Sequence, residues 1–406
     1  MSLQGSQKLA ILLCKFSDST ETEPNPLSFY EDLFIKRGTG GLNDYWTAAS
    51  LGVINLDGSQ VFGWKTFDIK RADFIAAHPG RWDKIKGAID QFTDVDTSKF
   101  TAVVSLFNVD VTDGGSQGGV LGGPADANVT FLAHETGHLF GLEHSFDHST
   151  RIAVPEWPSA PGEYFDRHDI MSAMGVDSDS GHRFSPRGPL LNVANLDRMG
   201  WLPATRVWQP KKNSSDRYEV DIVALEHPEA DGYLAARAGG WIAEFRIPDG
   251  FDGGLMRPAV LFHNESASPN SYIIASDAVN NIHEWQPGQV YGNPTIFDRF
   301  GGTRVTVISF DLQKKTARLR VQVKATKPPF IRLEEIFGLG IGQLPRNGVI
   351  LVLKSGKIIP IPIPGPEPIL LDLRAIIRGH VLDILKEDLG GNITDLQTDI
   401  TGDQLT

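Results

Sequence analysis

Apolar residues along the chain change their period several times, and each change marks a predicted element. Leu9-Ala-Ile-Leu-Leu-Cys-Lys-Phe16 is an almost continuous apolar run and predicts a strand over Lys8 to Phe16. Ser28 to Phe34 has helical spacing, with Ser28 placed to cap its first turn. Gly38 to Gly41 breaks the chain, and Leu42 to Ser50 predicts a second helix. Val53 to Trp64 predicts a strand pair turning at Asp57-Gly58, a dipeptide that suits a tight hairpin. Trp82, Ile85, Ile89 and Phe92 recur at spacings of three, four and three, an amphipathic helix over Arg81 to Phe92. Phe100 to Val111 then predicts a largely buried strand.

A fourth helix-type pattern ends at Gly141, a residue suited to a helix C-terminus, and Pro155, Pro158 and Pro161 make the stretch Ser145 to Arg167 a loop. Leu190 to Met199 predicts another helix, capped by Gly200 and stopped by Pro203. Beyond Pro203 the character shifts to short apolar or alternating runs with turn residues between them, the pattern of an antiparallel β-sandwich. Lys327-Pro-Pro329 reads as a linker. The tail after it holds a strand-like run from Val349 to Leu353, an extended Pro-rich stretch from Ile359 to Pro366 and a predicted helix from Leu370 to Leu389. The division this suggests is residues 1–203, 204–326 and 327–406, the last a small α/β module to which no role attaches.

Composition narrows the function classes. The chain has 406 residues, ordinary apolar and charged content, and a net charge of −12. Without a basic field to neutralise phosphates, nucleic acid is not the expected partner. The one cysteine, Cys14, lies in the first apolar run, so no intrachain disulfide forms and a buried, inert thiol is expected. No run reaches the roughly 18 apolar residues of a transmembrane helix. The N-terminus lacks the basic-then-apolar pattern of a signal peptide, so on this sequence alone the protein is cytoplasmic or a mature form.

The chemistry concentrates in Phe131-Leu-Ala-His-Glu-Thr-Gly-His-Leu-Phe-Gly-Leu-Glu-His144. His134 and His138, four apart on a helix, share one face and can reach one cation. Glu135 projects beside that face and can hold a water at the cation without ligating the cation itself. A turn at Gly141 lets His144 return as a third ligand. Three neutral imidazoles leave a tetrahedral zinc with one open position, the catalytic rather than the closed structural arrangement. His148 and His168 are additional histidines nearby, expected to be solvated in the loop. Glu143, beyond Gly141, is expected to be a solvated carboxylate.

The pattern His-Glu-x-x-His-x-x-Gly-x-x-His resembles the signature of the metzincin zinc peptidases. Asp169-Ile-Met-Ser-Ala looks like the Met-turn of the gametolysin-like and immune-inhibitor-A-like bacterial members of that clan, with its methionine at Met171 and Met174 as the alternative. Asp44-Tyr-Trp, Leu56-Asp-Gly-Ser and Asn195-Leu-Asp-Arg-Met-Gly-Trp extend the similarity. The resemblance implies an α/β (α+β) metzincin-like catalytic domain, with a mixed sheet and a zinc-binding helix, ahead of the β-sandwich. It implies a secreted, monomeric zinc endopeptidase acting on protein or peptide substrates through water activated by Glu135. One catalytic Zn2+ is expected, with a structural Ca2+ as a further candidate. In such enzymes the segment before the zinc helix forms the cleft rim and edge strand, which places Gly118, Gly119, Val120, Leu121 and Gly122 against substrate. Where some members carry a tyrosine two residues past the methionine, this chain has Ala173; Tyr164 and His168 are the nearest hydrogen-bond donors to consider. The alternative is a zinc-containing binding or adhesion protein whose peptidase domain is vestigial.

Overall fold

Leu9–Phe16 alternates faces along its length, and both faces are apolar. Leu9, Ile11 and Leu13 point into one buried cluster, while Ala10, Leu12, Cys14 and Phe16 point into another. A strand buried on both sides needs layers on both sides, and helices supply them. The computed structural model describes residues 3–19, 23–112, 114–153, 159–211, 215–264, 269–292 and 302–324, with the backbone of 330–331, 349–352 and 358–361.

The protein is mixed α/β with several sheets. The first sheet runs Gln60–Phe67, Leu9–Phe16, Ala102–Phe107, Val120–Gly122 and Gly115–Ser116. Its first four strands are parallel, and the last is antiparallel to its neighbour. One face packs against the helices Leu42–Ala49 and Val129–Leu139 through Tyr45, Trp46, Leu132 and Ala133. The other packs against Arg71–Ala77 and Arg81–Gln91 through Phe74, Ile85 and Ala88. Trp82, counted in the predicted stripe, is instead exposed, and the fully buried thiol of Cys14 is pushed well above its usual pKa by burial.

Two local expectations are corrected, the first by distant pairing. Ile54–Asn55 and Gln60–Phe67 are both strands but do not form a hairpin. Ile54–Asn55 pairs in parallel with Gly5–Ser6, and Gln60–Phe67 pairs in parallel with Leu9–Phe16. The Asp57-Gly58 turn joins two strands with different partners. The N-cap of the first helix, Leu27–Phe34, lies two residues earlier than predicted, at Pro26 rather than Ser28, and makes no side-chain bond.

A six-stranded sheet contains Ser145–Asp147, Ser271–Ile273, Ala259–Asn264, Trp241–Arg246, Ala235–Ala238 and Val207–Trp208 in that order. Its first strand comes from the stretch predicted to be all loop. Three residues are too few to show a period, and its parallel partner lies far along the chain. A four-stranded sheet runs Arg217–Val223, Thr316–Lys324, Gly302–Asp311 and Val290–Tyr291. Val220, Ile222, Leu319 and Val321 from this sheet share one core with Ala243, Phe245, Val260 and Phe262 from the six-stranded sheet.

The strand Trp241–Arg246 joins the two halves of the sequence. Trp241, Ala243 and Phe245 face that shared core, and Ile242 faces the cluster that also holds Leu9 and Trp46. On the same side as Ile242, Glu244 and Arg246 are wholly buried. Glu244 accepts from the Val193 amide at 3.1 Å and pairs with His263 at 2.9 Å, while Arg246 pairs with Asp252, which accepts from the Leu190 amide at 3.0 Å. Buried charges persist because each is matched in this way.

Met1–Gly292 and Thr303–Lys324 form one unit, and Asn293–Gly302 with Ala325–Thr406 a second. In the second, Val349–Val352 pairs in parallel with Phe330–Ile331 and antiparallel with Ile358–Ile361, so the start of the Pro-rich stretch is a strand. The predicted helix Leu370 to Leu389 lies outside the described residues. Among the described residues no helix is long and apolar enough to cross a membrane.

Candidate metal centre

The helix Val129–Leu139 is set at both ends by its sequence. Asn128 caps its start, the side chain accepting from the Phe131 amide at 2.9 Å. At its end Gly141 takes φ +91°, the left-handed conformation that disfavours a side chain. The Gly141 amide donates to His138 O and the Leu142 amide to Gly137 O, both at 3.0 Å, a Schellman ending. That turn also delivers the Leu142 carbonyl to His138. Behind the helix, Trp46 donates its indole N–H to Thr136 Oγ1 at 2.8 Å.

The ligand nitrogens of His134, His138 and His144 all lie within 4.8 Å of one another. His134 is buried; His138 and His144 are half-buried. Each Nδ1 has an acceptor of its own. His134 meets Ile170 O at 2.9 Å, His138 meets Leu142 O at 2.9 Å, and His144 meets Glu163 Oε1 at 2.6 Å. A carbonyl or carboxylate can only accept, so each Nδ1 carries the hydrogen and each neutral ring presents a lone pair at Nε2. His134 Nε2 and His138 Nε2 are only 3.1 Å apart. Two lone pairs that close repel unless a cation lies between them, and bare imidazole nitrogens are the donors zinc prefers. Burial pushes His134 down to about 3, helped by the closeness of a second ionisable ring, His138. Burial and then His138 also lower His144. These two rings stay neutral, as ligation requires.

Glu135 lies beside the three rings. Burial raises its carboxyl above the ordinary range, opposed by hydrogen bonds from the Ser116 side chain and amide and by the charges of His138 and Arg81. Ser116 belongs to Gly115–Ser116, the terminal strand of the five-stranded sheet, and its carbonyl accepts from Arg81 at 3.3 Å. The strand predicted to be that edge, Val120–Gly122, is one position further in, with Val120 and Leu121 fully buried. At the turn between the two strands Gly118 is exposed, whereas Gly119 is buried.

Met171 is wholly buried in a short helical turn, Ile170–Gly175. Asp169 caps this turn, accepting from the Met171 amide at 3.1 Å, and is anchored by Ser145 at 2.8 Å. Burial, reinforced by Asp166, raises Asp169 to about 7. The side chain of Met174 lies outside the described residues.

Tyr164 has φ +68°, and its hydroxyl is 3.2 Å from His144 Nε2. Burial pushes it up to about 12, so at neutral pH it is a protonated donor. His168 is not at the centre and is not solvated. It is buried, with Nε2 at 3.4 Å from Glu284 and Nδ1 at 3.8 Å from Asp166. His148 is half-buried and stacks on Tyr272 at 5.2 Å. Glu143 is exposed, as expected. Sequence reasoning missed Glu163, Ser116 and Asn270, whose side chain donates to His144 O at 3.0 Å. None lies at a spacing that would mark it; only folding brings them to the histidines.

Comparison of the chain with protein-family models, with curated proteins and with solved structures finds no match.

Proposed function

We propose that the protein is a zinc-dependent endopeptidase of the metzincin type, with Zn2+ held by His134, His138 and His144. The observation that carries this reading is the convergence of three imidazole nitrogens, each ring fixed through its Nδ1, beside the half-buried carboxylate of Glu135, which is not one of the three. Bound there, zinc would act as a Lewis acid and lower the pKa of water in its open position to about 7.

The remaining chemistry belongs to this chain's own residues. Glu135 takes the proton from the attacking water and returns it to the leaving amine, a role that typically contributes about 100- to 10,000-fold in rate. Ser116 holds that carboxylate in place. The Tyr164 hydroxyl, 3.2 Å from His144 Nε2, would donate to an oxygen gaining charge. An extended peptide can add to the sheet at Gly115–Ser116, gaining main-chain hydrogen bonds close to Glu135. Gly118 to Gly122 would then support that edge from the turn and the adjacent strand.

Met171, packed against Gly137 of the histidine helix, supports the metzincin reading. We read residues 204–326 as a β-sandwich because side chains of the four- and six-stranded sheets meet in one core. Export, one zinc per chain, and a monomer acting on protein substrates belong to the same proposal.

The test is casein hydrolysis by zinc-loaded protein beside Glu135→Ala at equal zinc content. Cleavage by the wild type that the variant lacks supports a peptidase with Glu135 as its base. Zinc binding without cleavage in either, across several unfolded substrates, favours a zinc-containing binding protein.

A further inference from the structure

The three histidines are not held alike. His134 and His138 give their Nδ1 hydrogens to main-chain carbonyls, while His144 gives its hydrogen to the carboxylate of Glu163. We infer that Glu163 is a positioning residue for the metal centre: it fixes the ring of His144 and makes its Nε2 the most electron-rich of the three donors. This inference rests on the zinc reading above.

The backbone explains why the third ligand needs such help. His134 and His138 ride on one helix, whereas His144 lies beyond the Schellman turn, outside it. Its place is set by the chain on either side. Glu163 forms an antiparallel bridge to Phe146, the Tyr164 amide donates to Ser145 O at 3.0 Å, and the Asp147 amide donates to Gly162 O at 2.9 Å. This strap keeps residues 162–164 alongside His144. The carboxylate is fixed at both oxygens, with Oε2 accepting from the Ala160 amide at 2.6 Å. It therefore cannot swing away without breaking a second bond. Its side chain is 13% exposed and that of His144 24%, so the pair is sheltered from the screening that weakens surface ion pairs.

A carbonyl partner sets a tautomer; a carboxylate also pushes electron density through the ring to the opposite nitrogen. Glu143 provides an internal control. It is next to His144 in sequence and also acidic, but it is exposed and acts on that ring through its charge, whereas Glu163 also bonds to it.

The experiment is zinc affinity by competition with a chromophoric chelator, for the full chain, Glu163→Gln and Glu143→Gln, with the visible spectrum of each Co(II)-loaded protein. Glu163→Gln keeps the shape of the side chain and loses its charge. Its zinc affinity should fall about 10- to 100-fold and its cobalt bands should shift, while Glu143→Gln matches the wild type in both. Glu163→Asp, which keeps the charge, should bind more tightly than Glu163→Gln. If Glu163→Gln does not fold, Glu163→Asp carries the test alone and must bind more weakly than the wild type. Wild-type affinity in the Glu163 variants, or an equal loss in Glu143→Gln, overturns the inference while leaving the metal centre standing. A wild type that takes up no zinc removes the centre itself, and the inference with it.

Discussion

Gly137 and Met171 fit each other because one lacks a side chain. A Cβ added at Gly137 would stand 2.6 Å from the Met171 sulfur, far inside contact distance. Gly137 lies between His134 and His138, so this methionine packs directly against the helix that carries both. Gly137→Ala would gain about 1 kcal/mol of helix propensity, but wholly buried Met171 must move to admit the methyl, at about 1–3 kcal/mol. Gly137→Ala should therefore lower the unfolding midpoint in urea. The loss should shrink in a Met171→Ala background, because the two residues share one space. Equal losses in both backgrounds would show that they do not.

How much of this was legible in the sequence depends on the range of the interaction that decides each feature. The histidine helix could be read because its histidine spacing and its glycine ending are local. The central strand Leu9–Phe16 could be read because both its faces are apolar. The hairpin at Asp57-Gly58 was misread because the turn dipeptide is local, while parallel pairing with Gly5–Ser6 and Leu9–Phe16 determines where the two strands go. His168 was misread as solvated because Glu284, which draws it inside, is more than a hundred residues away in sequence. Ser145–Asp147 and Glu163 carry no period at all.

Asn270 ties the β-rich half to the metal centre. Its side chain donates to the carbonyl of His144, and Ser271–Ile273 beside it pairs with Ser145–Asp147. Asn270→Ala should cost about 1 kcal/mol in stability and weaken zinc binding, read by urea unfolding and chelator competition. Unchanged zinc affinity would show that the strand pairing alone sets His144.

A fragment ending at Pro203 should show no cooperative thermal unfolding. It would lack Val223, Leu225, Leu234, Ile242 and Phe251, which belong to the same buried cluster as Leu9 and Trp46. Exposing that face removes several large side chains' worth of burial, each about 1.5–3 kcal/mol. A sharp calorimetric transition from the fragment would mean that residues 1–203 fold unaided.

Glu226 should make stability fall as pH rises. Burial, reinforced by Asp252, lifts its carboxyl to about 8 from a usual value near 4.5. The folded protein thus holds a proton that the unfolded chain has already released between those two values. In that window its contribution declines by at most about 1.4 kcal/mol per pH unit. Glu226→Gln removes the titration. Its stability relative to the wild type should rise steadily from pH 5 to pH 8, and a difference independent of pH would contradict the assignment.

The most direct measurement is the zinc content of the purified, zinc-dialysed protein, beside His134→Ala, His138→Ala and His144→Ala. One tightly held zinc per wild-type chain is expected, with loss of that tight binding in each variant and far-UV circular dichroism retained. A wild type without bound zinc, or variants that keep it undiminished, would contradict the claim that these three histidines form a metal centre.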